Sequence, residues 1–123
     1  MKLASDFVGI PYADLDCYAL VRVVSSEVYG LNLPDFPDYV QNAEAIIAKE
    51  KASGHWAHVE RAQAKAGDIV TMSPVMDSGR HVGILIENGL VLHTSIKYGS
   101  LIQMEKSLVL MGFQKIDFFR FNP

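Results

Sequence analysis

The apolar residues of this chain repeat at one period in its first half and at another in its second, and that switch confines it to few architectures. Cys17, Leu20, Val21, Val24 and Val28 fall three or four apart, as on one face of a helix, and Tyr29-Gly30 supplies a stop. After the proline-punctuated connection Leu31-Asn32-Leu33-Pro34-Asp35-Phe36-Pro37, the residues Tyr39, Val40, Ala43, Ile46 and Ile47 resume helical spacing, and Gly54 ends that second helix. Beyond it the period falls to two, which predicts strands over 68–72, 81–86, 90–95, 100–105 and 114–121. Helices first and an antiparallel sheet after is an α+β plan. With 123 residues, half of them apolar, residues 1–123 suit one domain that buries its core without disulfides or structural metal.

Glu87-Asn88-Gly89 joins two of the predicted strands as a hairpin, and its register decides where two histidines point. A two-residue Asn88-Gly89 loop would pair Glu87 with Leu90 and Ile84 with His93, sending His81 and His93 to opposite faces. A three-residue loop with Gly89 left-handed pairs Ile86 with Leu90, His81 with Ser95 and Gly83 with His93. Then His81, Gly83, Leu85, Val91, His93 and Ser95 share one face, and Val82, Ile84, Ile86, Leu90 and Leu92 form an aliphatic one. The hydrophobic segregation favours the second register, and Gly83 leaves room for the His93 ring.

Cys17 is the only cysteine, so no internal disulfide can form. Asp16 is placed to cap the helix, which puts the thiol in the first turn, where unpaired N–H groups and the helix dipole favour thiolate. A lone thiol far in sequence from two histidines that can fold against it is the raw material of a cysteine hydrolase. In that chemistry Cys17 is the nucleophile and His81 the general base and then acid. The thiol is expected to have a depressed pKa. The plainer reading of Cys17 is a small buried apolar residue.

Around these residues stand Gly9-Ile10-Pro11-Tyr12, Asp16-Cys17-Tyr18-Ala19-Leu20-Val21-Arg22, Ala66-Gly67-Asp68-Ile69-Val70, His81-Val82-Gly83-Ile84 and Leu92-His93-Thr94. Together they make the chain similar to the NlpC family of cell-wall cysteine peptidases, in the papain-like superfamily, and to its phage-tail branch especially. The resemblance implies a papain-like NlpC-type fold with N-terminal helices packed on an antiparallel sheet. It implies a Cys17-His81-His93 triad in which His93 holds the His81 ring. Tyr12 would join the Cys17 N–H in the oxyanion hole, with Asp16 and Tyr18 beside the substrate. The implied substrate is an amide in peptidoglycan stem peptides, between D-glutamate and a diamino acid, and phage tail proteins are the implied partners. Two departures stand out. Only Ala13-Asp14-Leu15 separates Tyr12 from Asp16 where relatives carry a glycine-containing loop, and Tyr18-Ala19 follows the nucleophile where Ser-Gly or Trp-Gly is common. A tail assembly module that keeps the cleft without turnover, or an acyl hydrolase or transferase on the same fold, are the competing readings.

Composition removes other classes. Residues 1–62 hold nine acidic and five basic side chains and residues 63–123 five and six, so neither half offers a cationic face for nucleic acid. No apolar run approaches the roughly 20 residues of a membrane helix, and no signal segment is read at the start, so the expected location is cytoplasmic unless lysis, a virion or another route exports the chain. No cofactor or metal is expected. His55 and His58 flank Trp56 with no further ligand pattern, which suits surface or capping histidines over a metal pair, with Trp56 packed under the sheet. Cys17, His81 and His93 could instead ligate an open catalytic zinc, a lesser reading that a zinc assay separates.

Overall fold

A computed structural model describes residues 2–33, 54–74, 81–87 and 89–123. Helix α1 (Cys17–Tyr29) begins where the pattern predicts, with Asp16 Oδ1 accepting from Ala19 N at 2.9 Å. It ends at Gly30, whose φ of 68° is left-handed. The predicted second helix, with Tyr39 to Ile47, lies outside the described residues.

Among the described residues six antiparallel strands form one sheet: β1 (Trp56–Val59), β2 (Ile69–Pro74), β3 (His81–Glu87), β4 (Leu90–Ser95), β5 (Gly99–Met104) and β6 (Phe113–Phe121). Their order is β1-β6-β2-β3-β4-β5. A short helix α2 (Glu105–Leu110) joins β5 to β6. The chain is α+β, with α1 packed on the antiparallel sheet at β3 and β4. Strand β1 and helix α2 are additions to the sequence reading. β1 is only four residues long. In α2 Leu108 alone is buried while Val109 and Leu110 are exposed, so no amphipathic period marks it.

Each sheet face carries its own apolar cluster. Leu20, Val21 and Val24 of α1 pack on Ile69, Val82, Ile84, Leu92 and Phe119. The opposite face joins Val70, Met72, Leu85, Val91 and Phe118 to Leu108 of α2. The period-two segregation therefore holds, but both faces are covered and the histidine face is also part of a core. Trp56 is 4 % exposed and packs on the Phe121 ring at 5.0 Å.

The β3–β4 hairpin combines the two registers weighed from sequence. Its closing pair is Glu87 with Leu90, in place of the expected Ile86 with Leu90. A register shift between Leu85 and Glu87 then takes Ile86 out of step, so Leu85 pairs with Val91 and Ile84 with Leu92, as the three-residue loop required. A Cβ built on Gly83 would lie 2.8 Å from Leu92 O, 2.9 Å from Val91 Cγ1 and 3.0 Å from His93 Cβ, so only glycine allows β4 this close.

Ile84 and His93 sit on opposite faces of this hairpin at 0 % and 2 % exposure, and they should respond differently to truncation. Ile84→Ala is expected to cost about 2–5 kcal/mol through the cavity it leaves. His93→Ala should lower turnover beyond any loss of stability. Thermal melts run beside an activity assay decide it, and activity lost only in proportion to stability in both variants would make His93 a core residue and nothing more.

Candidate active site

Three segments converge at one end of the β3–β4 pair. The first is the strap before α1. Gly9 N donates to Ser100 O and Ser100 N to Ile10 O, both at 2.9 Å, and Ser100 Oγ accepts from Ile10 N at 2.8 Å while donating to Phe7 O. A Cβ on Gly99 would meet Ile10 O at 2.6 Å, so the strap lies directly on the backbone of β5. This fixes Tyr12 beside the start of α1. Burial raises the Tyr12 pKa first, and the nearby Cys17 and Asp16 raise it further, which keeps the hydroxyl a neutral donor. A cleft of about 420 Å³ opens between Gly9, Pro11, Tyr12 and Ala13 on one side and Ile96, Lys97, Tyr98 and Gly99 on the other.

The second is Cys17 itself, half-buried at the first turn of α1. Its thiol meets the backbone N–H of Val82, the residue after His81. Strand geometry explains why that group is free to do so. Leu85 N donates to Asp68 O and Gly67 N to Leu85 O on the β2 side, so the alternate residue Val82 turns its N–H toward β4. The β3–β4 pairing stops at Ile84 with Leu92, which leaves the Val82 N–H outside that ladder. Among the described residues no hydrogen bond joins the sulfur to the His81 ring.

The third is the histidine pair. His81 Nε2 lies 2.9 Å from His93 Nδ1, the rings nearly perpendicular at 85°. Phe113 stacks on the other side of His81, 5.6 Å between centroids and 14° from parallel. His93 Nε2 reaches Gln103 Oε1 at 2.6 Å.

The electrostatics correct one expectation. The Cys17 pKa is raised, not depressed: burial is the largest cause and Asp16 adds to it, against lowering by the N–H groups of Val82, Tyr18 and Cys17. The helix start is present, but it is outweighed by desolvation. His81 is lowered to about 4, chiefly by burial and then by His93, and burial also lowers His93 against the opposing Gln103 bond. At rest the thiol and both imidazoles are neutral, and no imidazolium is there to stabilise thiolate.

A pH dependence follows from those directions. Between about pH 6.5 and about 4 the unfolded chain binds a proton that native His81 refuses, so native stability falls as pH drops through that window. The loss is on the order of 3 kcal/mol at about 1.4 kcal/mol per pH unit, with His93 acting in the same direction. Urea unfolding at pH 7, 5.5 and 4 checks it. His81→Gln should flatten the dependence, and an unchanged slope would place the titration elsewhere.

Other sequence candidates fall outside this cluster or into other roles. Asp16 is the helix cap. Tyr18 is 8 % exposed, within the core cluster under α1. His55 Nδ1 donates to Asn122 O at 3.1 Å, and His58 lies 3.4 Å from Asp117 and edge-on to Phe119, so the two do not converge. Among the described residues no group of three His, Cys, Asp or Glu side chains is disposed to hold a metal, and His81 and His93 spend one nitrogen each on one another. Gln103 was missed. Once Ser95 pairs with Gly99, strand parity puts it on the His93 face.

The family model of the NlpC/P60 family matches residues 6–112. The fold is similar to the crystal structure of the NlpC/p60 domain of the peptidoglycan hydrolase SagA, with TM-score 0.59 and 21 % identity over 94 % of this chain and 90 % of that one. No curated protein matches the chain.

Proposed function

The chain belongs to the NlpC/P60 family, and from that premise we propose that it is a cysteine peptidase hydrolysing an amide bond in peptidoglycan stem peptides, between D-glutamate and a diamino acid. The observation that carries the reading is the hydrogen-bonded His81–His93 pair one residue from the backbone N–H that touches the Cys17 thiol. A domain of a peptidoglycan hydrolase with a similar fold supports the substrate class.

The chemistry follows from the neutral resting pair. The Cys17 sulfur attacks the substrate carbonyl as its proton passes to the bare nitrogen of His81. The carbonyl oxygen, now negative, is met by the Cys17 N–H and the Tyr12 hydroxyl. Protonated His81 then gives its proton to the departing amine, and water, deprotonated by the same ring, hydrolyses the thioester. The cost of an imidazolium in this buried place, evident in the lowered pKa, is offset by the adjacent oxyanion. Delivery by a phage or prophage tail, outside the cytoplasm where the chain is made, belongs to the same proposal, on the resemblance of the segments around Cys17, His81 and His93 to that branch.

The test is incubation with purified sacculi and with defined muropeptides, followed by mass spectrometry. New amino termini on the diamino acid support the reading. Intact muropeptides and intact sacculi after incubation with the folded chain would favour a tail module without turnover.

A further inference from the structure

We propose that Gln103 is a positioning residue that sets the tautomers of His93 and His81 and thereby leaves His81 Nδ1 as the one bare nitrogen available to the thiol, an inference that rests on the peptidase reading for its catalytic meaning. Gln103 stands on β5 opposite Val91, diagonal to His93, whose own partner is Leu101. At that distance a long side chain crosses to its diagonal neighbour.

The orientation of its amide follows from what lies behind it. Gln103 Nε2 is 3.3 Å from Met111 Sδ, and a thioether only accepts, so the NH2 end must face the sulfur. That turns Oε1 toward His93. A carbonyl oxygen only accepts too, so the His93 Nε2 at 2.6 Å must carry a hydrogen. His93 is buried and its pKa is lowered, so it is neutral and has only one N–H to give. Its Nδ1 is therefore a lone pair, and the His81 Nε2 at 2.9 Å must be the donor. Neutral His81 then has no hydrogen left for Nδ1, and the pattern runs from Met111 through Gln103 and His93 to one basic nitrogen. Without the Gln103 carbonyl, His93 can carry its hydrogen on Nδ1 instead. It would then donate to His81 Nε2, and the basic lone pair of His81 would be spent on its neighbour.

Nitrogen-15 NMR of the imidazoles in the uniformly labelled chain, at neutral pH, reads the tautomers directly. In the wild type both rings should be protonated at Nε2 and bare at Nδ1. Gln103→Leu should mix the tautomers of both rings and lower kcat by about 10–100-fold with KM nearly unchanged. Gln103→Glu, which still presents an accepting oxygen, should keep the wild-type tautomers, restore most of kcat and raise the pH at which His93 titrates. Wild-type tautomers persisting in a folded Gln103→Leu variant overturn the proposal. If that variant does not fold, an unmoved His93 titration in Gln103→Glu overturns it just as well. The spectra need no substrate, so a chain that cleaves no muropeptide would sink the peptidase reading while these tautomers still decide the role of Gln103.

Discussion

Alanine at His81 is expected to slow stem-peptide hydrolysis by roughly 10²–10⁴-fold, the usual worth of a positioned acid–base group. The ring is held on two sides, by Phe113 stacked on its face and by His93 at its Nε2, which fixes its orientation and leaves Nδ1 as its remaining nitrogen. Loss of the ring should leave the fold standing, because the apolar clusters on both sheet faces are built from other side chains. His81→Gln sharpens the test. Its amide can still donate to His93 but cannot take a proton from a thiol, so it should be as slow as alanine. A glutamine variant with near wild-type kcat/KM would mean that the ring only fills space.

The second large effect is structural. Asp68→Ala should cost about 3–5 kcal/mol, because it breaks an ion pair whose carboxylate is buried. Asp68 is 1 % exposed, and its two oxygens take Arg120 Nε and Nη2 at 2.8 Å each, a two-point bond, while Oδ2 also accepts Lys65 N at 2.8 Å. Arg120 further donates to Gln63 O at 3.0 Å. Removing the carboxylate strands a guanidinium and the Lys65 N–H together, and loosens the turn whose backbone bonds hold Leu85 of β3. The double variant Asp68→Ala/Arg120→Leu should recover part of the loss, since no charge is then left unpaired. Urea denaturation of the three proteins measures it. A single-variant cost below about 1 kcal/mol would show the pair to be a solvated surface contact.

Much of this was legible in the sequence, for particular reasons. Helix α1 could be placed because an Asp cap, a helical apolar stripe and Tyr29-Gly30 agree on one span. The hairpin register could be chosen because only one choice segregates Val82, Ile84 and Leu92 from His81 and His93. The exit at Ile86 was not legible, since sequence does not say which residue absorbs an offset of one. The direction of the Cys17 shift was read wrongly because dipole and cap are local, whereas desolvation depends on how β3 and the strap close around the thiol. The role of Asp68 was hidden for the same reason: its partner Arg120 is 52 residues away. Gln103 carries no motif and becomes visible only through the β4–β5 register.

The central claim is that the Cys17 sulfur carries the acyl group of a cleaved stem peptide. Intact-protein mass spectrometry after acid quench, during turnover of a synthetic stem peptide, tests it most directly. The account predicts a wild-type protein heavier by one acyl fragment, mapped to the peptide containing Cys17, and neither adduct nor product with Cys17→Ala. Product formation by Cys17→Ala at the wild-type rate would contradict it.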